Sequence, residues 1–475
     1  MEELIYLSAT EVLRLFRSRQ LSPVELMTAV IERVEAVEPR VNAFAERLFE
    51  DALEQARLAE ACYAGRGAPP RTLEGLPVAV KEEQPIAGRT SSEGSLLYRD
   101  NVAEVTHPVV ERIMDAGGII HARTTTPEFS CAGFTHSKLW GVTRNPWNLE
   151  YTPGGSSGGS GAALAAGTAT LATGSDIGGS IRIPASFSGV VGFKPPYGRV
   201  PAMPPWNLDH YCHDGPMART VADCALLQNV IAGPHPLDVV SLRPAVLIPD
   251  ELGGIDGWKI ALSTHLGDYP VDPEVVANTH AAAEALGEAG AVIEEVTLNW
   301  NRAEIVRASW AHYGAIFGAA IGSGVKEHRE LLMPYTRAFI DRALSAAQEG
   351  GYLEGLEIEG QIYAELGPLL ERYDALICPT TAVAGLLAGD DYVETEVVVG
   401  GVALDDYFDA LMTIPFNIAS RCPVLAVPSG LASAGLPTGL QIVGPTYDDE
   451  RVFQVAAALE RVRPWFGDPA WRPPL

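Results

Sequence analysis

The chain has 475 residues, of which 47% are hydrophobic, and its formal net charge is −26 at pH 7. This length and apolar content predict one large globular domain and argue against global disorder. A strongly acidic surface repels nucleic acid and anionic membranes, so we expect neither as a partner. The six cysteines are scattered without a Cys-x-x-Cys pair. That spacing does not indicate a metal site, and we expect free thiols.

The N-terminus shows no export signal. It reads Met-Glu-Glu-Leu-Ile and lacks the basic segment that opens a secretory signal. The longest run of small and apolar residues, 161–173, is too short to cross a bilayer. We therefore expect a cytoplasmic protein.

The first 70 residues are predicted to be helical. Ser8 and Ser22 each precede a glutamate by three residues, which is the pattern of a helix-capping box. A third helical pattern runs from about 43 to 62. Further along, apolar runs at 76–81 and 119–122 predict buried strands on either side of a helix at 108–116. This alternation indicates an α/β core.

The stretch 145–216 is dense in Gly, Pro and Ser, which is unusual for a compact domain without a functional reason. Within it, the small residues 161–172 predict a closely packed helix, and 220–231 predicts an amphipathic helix after it. The alternation then resumes. Strands are predicted at 258–263, 291–298, 374–378, 423–428 and 438–443, and helices at 273–289, 302–321, 330–349 and 353–373.

These patterns divide one predicted domain, 1–475, into four regions. We expect N-terminal helices over 1–70 and a catalytic core over 71–235. A helical block at about 300–373 is expected to cover the substrate, and 374–475 is expected to return to the core sheet.

The Gly/Ser stretch admits several interpretations. A flexible linker would not be followed by an Ala-rich helix and a second Gly-Gly-Ser unit. A phosphate-binding loop would need a Gly-Lys-Ser/Thr sequence, which is missing. Residues 154–158 match Gly-x-Ser-x-Gly, so an α/β-hydrolase-like esterase using Ser156 stays open, although two prolines precede it where a strand is required.

A fourth interpretation depends on an ordered set of motifs. Gly-Gly-Ser units end at Ser156 and Ser180, and Lys81 follows an apolar run 75 residues before the first. This set resembles the amidase signature family over most of the chain. The matching segments are 77–81, 125–129, 141–147, 153–161, 174–184, 192–195, 215–219 and 435–445.

The resemblance implies an α/β fold, with a mixed, mostly parallel twisted sheet flanked by helices on both faces and a helical lobe over the substrate. It also implies hydrolysis of an amide-type C–N bond through an acyl-enzyme, without metal or cofactor. By that pattern Ser180 is the nucleophile, Ser156 relays its proton after a cis peptide bond, and Lys81 is the base. The implied oxyanion donors are Ile177, Gly178, Gly179 and Ser180, and the implied supporting residues are Asp176, Arg182 and Ser157.

One departure from the family lies beside the lysine. Many members read Lys-Asp-Asn, whereas this chain reads Lys81-Glu82-Glu83. A general base must be neutral in the resting enzyme, and a carboxylate beside Lys81 would raise its pKa. We therefore expect Glu82 and Glu83 to point away, or to meet arginine or backbone donors.

The substrate is predicted to be bulky or aromatic. An aromatic, proline-kinked loop at 199–214 is a candidate pocket wall. A stripe of Trp310, Tyr313 and Phe317 favours core packing over a pocket lining. The candidate substrate-binding residues are Phe129, Ser130, Cys131, Trp206 and Tyr211.

Three functions stay open within this interpretation. The sequence is similar to environmental bacterial members that accept urethane bonds, so the expected partner is a small amide or carbamate. A glutamine-hydrolysing subunit of a tRNA amidotransferase has the same triad, although the departures after Lys81 and in the 199–214 loop argue against it. A non-catalytic binding module is disfavoured by the intact triad. A homodimer is a possible assembly.

Overall fold

The computed structural model describes residues 2–349, 351–467 and 471–475. Its strands are β1 Phe44–Arg47, β2 Pro77–Lys81, β3 Ile119–Thr124, β4 His136–Ser137, β5 Gly141–Val142, β6 Leu171–Asp176, β7 Val191–Lys194, β8 His213–Ala218, β9 Lys259–Leu262, β10 Val292–Glu295, β11 Ala375–Pro379, β12 Val397–Val399, β13 Val402–Leu404, β14 Val424–Leu431 and β15 Pro437–Val443. Its α-helices are α1 Glu2–Ile5, α2 Ala9–Ser18, α3 Pro23–Val41, α4 Phe49–Tyr63, α5 Pro108–Asp115, α6 Gly158–Ala165, α7 Arg182–Ser188, α8 Val221–Ile231, α9 Pro273–Glu288, α10 Arg302–Tyr313, α11 Ala319–Gly324, α12 Pro334–Glu349, α13 Gly351–Leu370, α14 Pro415–Ile418 and α15 Asp449–Val462.

A large mixed sheet organises the described part of the chain. Its strand order is β1-β3-β2-β6-β8-β7-β14-β15-β11-β9-β10. Parallel pairs occupy the two flanks, β3-β2-β6 on one side and β11-β9-β10 on the other. The strands from β6 to β11 between them pair antiparallel, as does the edge strand β1. The mixed α/β sheet that the sequence predicts is confirmed.

Both faces of the sheet are covered. Along β9, Ile260 and Leu262 belong to one hydrophobic cluster, whereas Ala261 between them belongs to another. Because successive strand side chains point to opposite faces, two separate cores lie on the two sides of the sheet. Helices contribute to both clusters, among them α8 and α15 on one side and α10 and α13 on the other.

The predicted helix starts are confirmed with one difference. Ser22 begins α3 with a complete capping box, in which the Glu25 carboxylate accepts a hydrogen bond from the Ser22 N–H. Ser8 caps α2 by accepting from Glu11 N, but the Glu11 side chain pairs with Arg14 instead. The capping box at Ser8 is therefore only half formed.

Two predicted helices are wrong in part. Residues 44–47, predicted to open a helix, form the edge strand β1, because Phe44 pairs with Thr124 of β3. The predicted helix 161–172 ends at Ala165, and residues 171–172 belong to β6. Leu171 pairs with both neighbouring strands, and these contacts distant in sequence override the local helical preference of small residues.

The predicted helical block is present. Helix α10 continues through a π-helical segment, Gly314–Gly318, into α11, and it packs against α12 and α13. Within the described residues, no helix combines the length and the apolar character needed to cross a bilayer.

Candidate active site

The predicted base lies at the end of a buried strand. Strands β2 and β6 are parallel neighbours, so Lys81 at the end of β2 comes close to Ser175 near the end of β6. The Lys81 side chain is 0% exposed, and its Nζ lies 2.6 Å from Ser156 Oγ and 2.9 Å from Ser175 Oγ. Lys81 and Ser156, 75 residues apart, are thus in direct contact.

The two Gly/Ser segments meet through Ser157. Its N–H donates to the Ser180 carbonyl at 3.1 Å, and its hydroxyl oxygen accepts from Ser175 N at 3.2 Å. The Gly155–Ser156 peptide bond is cis, as the family resemblance implies. A Cβ at position 155 would lie 2.4 Å from the Phe134 carbonyl, which explains the glycine there.

Asp176 organises the loop that carries Ser180. Its carboxylate accepts from both sides of the Arg182 guanidinium at 2.9 Å, from Gly179 N at 2.9 Å and from Ile181 N at 3.2 Å. Burial alone would raise the pKa of Asp176, but Arg182 and Asn417 outweigh it and hold that pKa well below its usual value. The predicted pairing of Asp176 with Arg182 is therefore present.

The geometry refines the predicted oxyanion donors. The Gly179 N–H is already used by Asp176. The N–H groups of Ile177, Gly178 and Ser180 donate to no protein atom in the described parts of the chain. Those three stay available to a developing oxyanion, whereas Gly179 fixes the loop.

The two glutamates after Lys81 differ. Glu82 accepts from Ser92 N at 2.6 Å and Glu93 N at 3.0 Å, as expected. The expectation for Glu83 is wrong, because its Oε1 lies 3.0 Å from Lys81 Nζ and its Oε2 accepts from the Ser130 hydroxyl. Both residues lie in the turn that follows β2, and the sequence did not resolve which of them faces Lys81.

Burial and the charge of the partner act in opposite directions on the pKa of each member of this pair. Burial lowers the pKa of Lys81 below its ordinary value, although the Glu83 charge acts in the other direction. For Glu83, burial raises the pKa, but the Lys81 charge and the Ser130 hydroxyl outweigh it and leave that pKa lowered.

Two cavities adjoin the loop that carries the predicted nucleophile. The first, which we call the Ser180 cavity, has an empty volume of about 350 Å³ and an aromatic wall. The second, the loop cavity, has an empty volume of about 1010 Å³ and lies under the 199–214 loop. Ser130, Ile177 and Phe317 line both, so the two cavities are neighbours that share these residues as walls.

Four of the five predicted substrate-binding residues line these cavities. Ser130 and Cys131 face the Ser180 cavity, and Phe129 and Trp206 face the loop cavity. Tyr211 is the exception: its ring is fully buried, stacks on His312 at 3.7 Å and donates to Glu359. It supports the loop from behind rather than facing the cavity.

The three residues of the predicted aromatic stripe are also divided between the core and a cavity. Trp310 packs into the core against Phe408, as predicted. Tyr313 and Phe317 instead line the Ser180 cavity, and the Tyr313 hydroxyl donates to the Ile177 carbonyl at 3.2 Å. Phe317 lies inside the π-helical segment that follows α10, and residue spacing gives no sign of that segment.

One group of potential metal ligands occurs among the residues that the structure describes. It consists of Asp209, His210 and His312. The Asp209 carboxylate and His312 Nε2 are 2.7 Å apart, which is a direct hydrogen bond that joins the 199–214 loop to α10.

Two competing interpretations of the Gly/Ser stretch are wrong. Residues 152–174 are buried throughout, which a flexible linker would not be. For a nucleophile elbow at Ser156, a strand should directly precede it, but the preceding strand β5 ends at Val142 and the Ser156 hydroxyl contacts Lys81.

Comparison with known proteins identifies the family and agrees with the fold. The family model described as Amidase matches residues 25–453. An acylamidase of Rhodococcus erythropolis is 34% identical, over 98% of this chain and 97% of that protein. The glutamyl-tRNA(Gln) amidotransferase A-subunit of Moorella thermoacetica is 35% identical, over 97% of each chain.

A solved structure is also similar. The crystal structure of a bacterial aryl acylamidase of the amidase signature family superposes with a TM-score of 0.89 at 30% identity, and the match covers 97% of each chain. The chain therefore belongs to the amidase signature family and is an amide-hydrolysing enzyme.

Proposed function

We propose that this enzyme hydrolyses bulky or aromatic amides and carbamates through an acyl-enzyme on Ser180. The observation that carries the proposal is the 2.6 Å contact between Lys81 Nζ and Ser156 Oγ in a buried site beside the Ser180 loop. A serine hydroxyl needs a base to attack a carbonyl, and a desolvated lysine is suited to that task.

The proposed reaction runs as a proton relay. Ser180 Oγ attacks the substrate carbonyl, its proton passes to Ser156, and the Ser156 proton passes to neutral Lys81. The N–H groups of Ile177, Gly178 and Ser180 stabilise the oxyanion. The proton then returns through Ser156 to the leaving nitrogen, the C–N bond breaks, and water hydrolyses the acyl-enzyme by the same relay.

The cavities support an aromatic substrate. The Ser180 cavity is lined by the rings of Tyr313, Phe317, Phe339 and Phe408. Such rings bind flat apolar groups through burial and edge-to-face contact. The aryl acylamidase relative is consistent with this preference. An N-aryl carbamate and an anilide both place a carbonyl next to an aniline nitrogen as the leaving group, so the proposal includes both.

The experiment compares Ser180→Ala and Lys81→Ala with the native enzyme on an anilide and an aryl carbamate, scoring products by mass. Both variants should lose hydrolysis while keeping the native circular dichroism spectrum. Ser186→Ala is the matched control, because this buried hydroxyl lies six residues away and has no hydrogen-bond partner in the described residues. Substantial hydrolysis by Ser180→Ala would refute the proposal.

A second candidate is a glutaminase-type subunit of a tRNA amidotransferase. It is favoured by relatives such as the amidotransferase A-subunit of Moorella thermoacetica, at 35% identity. The aromatic wall beside Ser180 is poorly matched to the polar glutamine side chain. Release of ammonia from glutamine, together with co-purifying partner subunits, would favour this second function over the first.

A further inference from the structure

Lys81 has a third oxygen neighbour besides the two serines. Its Nζ lies 3.0 Å from Glu83 Oε1, and the Glu83 side chain is only 17% exposed. The other Glu83 oxygen accepts from the Ser130 hydroxyl, which holds the carboxylate in place. Ser156, Ser175 and Glu83 therefore surround the nitrogen of Lys81 with three oxygen atoms.

We propose that Glu83 is a positioning residue that orients Lys81 and sets how strongly its nitrogen holds a proton during the reaction. The proposal rests on the relay from Ser180 through Ser156 to Lys81 described above. A buried amine without a counter-charge would be a weak base, because its protonated form would be desolvated and unpaired.

The charge balance shows where Glu83 acts. When Ser180 attacks, one proton reaches Lys81 and converts its amine to an ammonium. The Glu83 carboxylate then lies in contact with a full positive charge, which it stabilises. When the proton returns through Ser156 to the leaving nitrogen, Lys81 is neutral again and donates an N–H to Glu83. No oxidant or cofactor takes part in these steps.

Other charged groups face the pair from the neighbouring segments. Three of them are carboxyl groups: Glu93 from the loop before Tyr98, Asp214 from β8, and Asp176 from β6. Burial raises the pKa of Glu93 to about 7. His107 and Gln84 engage Asp214, and Asp176 is paired with Arg182.

Glu83 differs from these groups by direct contact. The carboxylate of the neighbouring Glu82 faces Arg123 at 3.9 Å and backbone donors, and it forms no ion pair with Lys81. Among the carboxylates of the described chain, Glu83 is the one in ion-pair contact with Lys81. Glu82 therefore serves as a matched control: a buried carboxylate one residue away that forms no ion pair with the base.

The test is the pH dependence of kcat/KM for Glu83→Gln on an anilide. Removing the charge should lower the pKa of Lys81, so the acidic limb should move to lower pH by about one unit or more. The plateau above it should fall, because a less basic lysine is a weaker proton acceptor. Glu83→Asp keeps the charge, so its acidic limb should lie closer to the native pH than that of Glu83→Gln. Glu82→Gln should leave the limb at the native pH.

A plateau that falls with the limb unmoved would overturn the proposal, since a purely structural role would give that result. If Glu83→Gln does not fold, the acidic limb is measured for Glu83→Asn instead. Asparagine is common at this position in the family, so we expect this variant to fold. Ser180→Ala is measured in parallel. Hydrolysis that persists in Ser180→Ala would refute the proposed mechanism, whereas Ser180-dependent hydrolysis with an unmoved limb would refute the role of Glu83 alone.

Discussion

The Arg182 guanidinium donates to both carboxylate oxygens of Asp176 at 2.9 Å, and both side chains are fully buried. The same carboxylate accepts from the N–H groups of Gly179 and Ile181 on either side of Ser180. One ion pair thus fixes the conformation of the loop that carries the proposed nucleophile.

Asp176→Asn should therefore reduce both stability and turnover. Removing one partner of a buried ion pair leaves the other charge uncompensated, which costs about 3–5 kcal/mol. We expect that loss in the free energy of unfolding from denaturant titration, with kcat falling more than KM rises. Asp51→Asn removes the partner of an exposed pair with Arg89 and should cost about 1 kcal/mol or less. Equal losses in the two variants would contradict this assignment.

Gly179→Ala should abolish most activity. Gly179 has a φ of +122°, and an added Cβ would lie 2.1 Å from Thr413 Oγ1. The loop would have to shift, and misplaced oxyanion donors cost about 10²–10³-fold in kcat. Gly88→Ala is the control: its φ is also positive, at +81°, but nothing lies within 4 Å of the added Cβ. We expect kcat to survive there, and retained kcat in Gly179→Ala would argue against the loop as the oxyanion site.

Trp206→Ala should selectively reduce the hydrolysis of aryl substrates. The Trp206 ring meets Phe317 edge-to-face at 5.3 Å between centroids and lines the loop cavity. Loss of this ring should lower kcat/KM for an anilide about tenfold, and should affect a small aliphatic amide much less. Trp258→Ala removes a tryptophan that packs against Arg451 outside both cavities. The idea fails if anilide and aliphatic amide lose activity equally in Trp206→Ala.

Glu38 makes stability depend on pH. It is 3% exposed, one oxygen accepts from Phe44 N at 2.7 Å, and the other has no partner in the described residues. Burial raises its pKa from 4.5 to about 7. The folded state therefore holds a proton that the unfolded chain has lost between those values. The free energy of unfolding should fall as pH rises through that window, by at most on the order of 3 kcal/mol.

The check is the unfolding free energy at pH 5 and pH 8. Glu38→Gln keeps an acceptor for Phe44 N without a charge, so its stability should change less between the two pH values than that of the native protein. Glu35→Gln, on the exposed side of the same helix, should keep the native pH dependence. A native-like pH dependence in Glu38→Gln would show that another group is responsible.

Much of this architecture was predictable from local patterns. The apolar run before Lys81, the Ser22 capping box and each of the two Gly-Gly-Ser units are encoded within a few residues. Burial of a strand and capping of a helix depend on near neighbours, so those predictions are confirmed. The strand β1 was missed because its partner Thr124 lies 80 residues away.

The sequence by itself determined the family and the fold class and predicted the candidate triad, because all three depend on residue types at fixed spacings. Only the tertiary structure decided which way the side chains point. It turned Glu83 towards Lys81 and Glu82 away, buried Tyr211 behind the loop, and placed Tyr313 and Phe317 at the Ser180 cavity. Side-chain direction depends on packing against distant segments, and spacing along the chain carries no record of it.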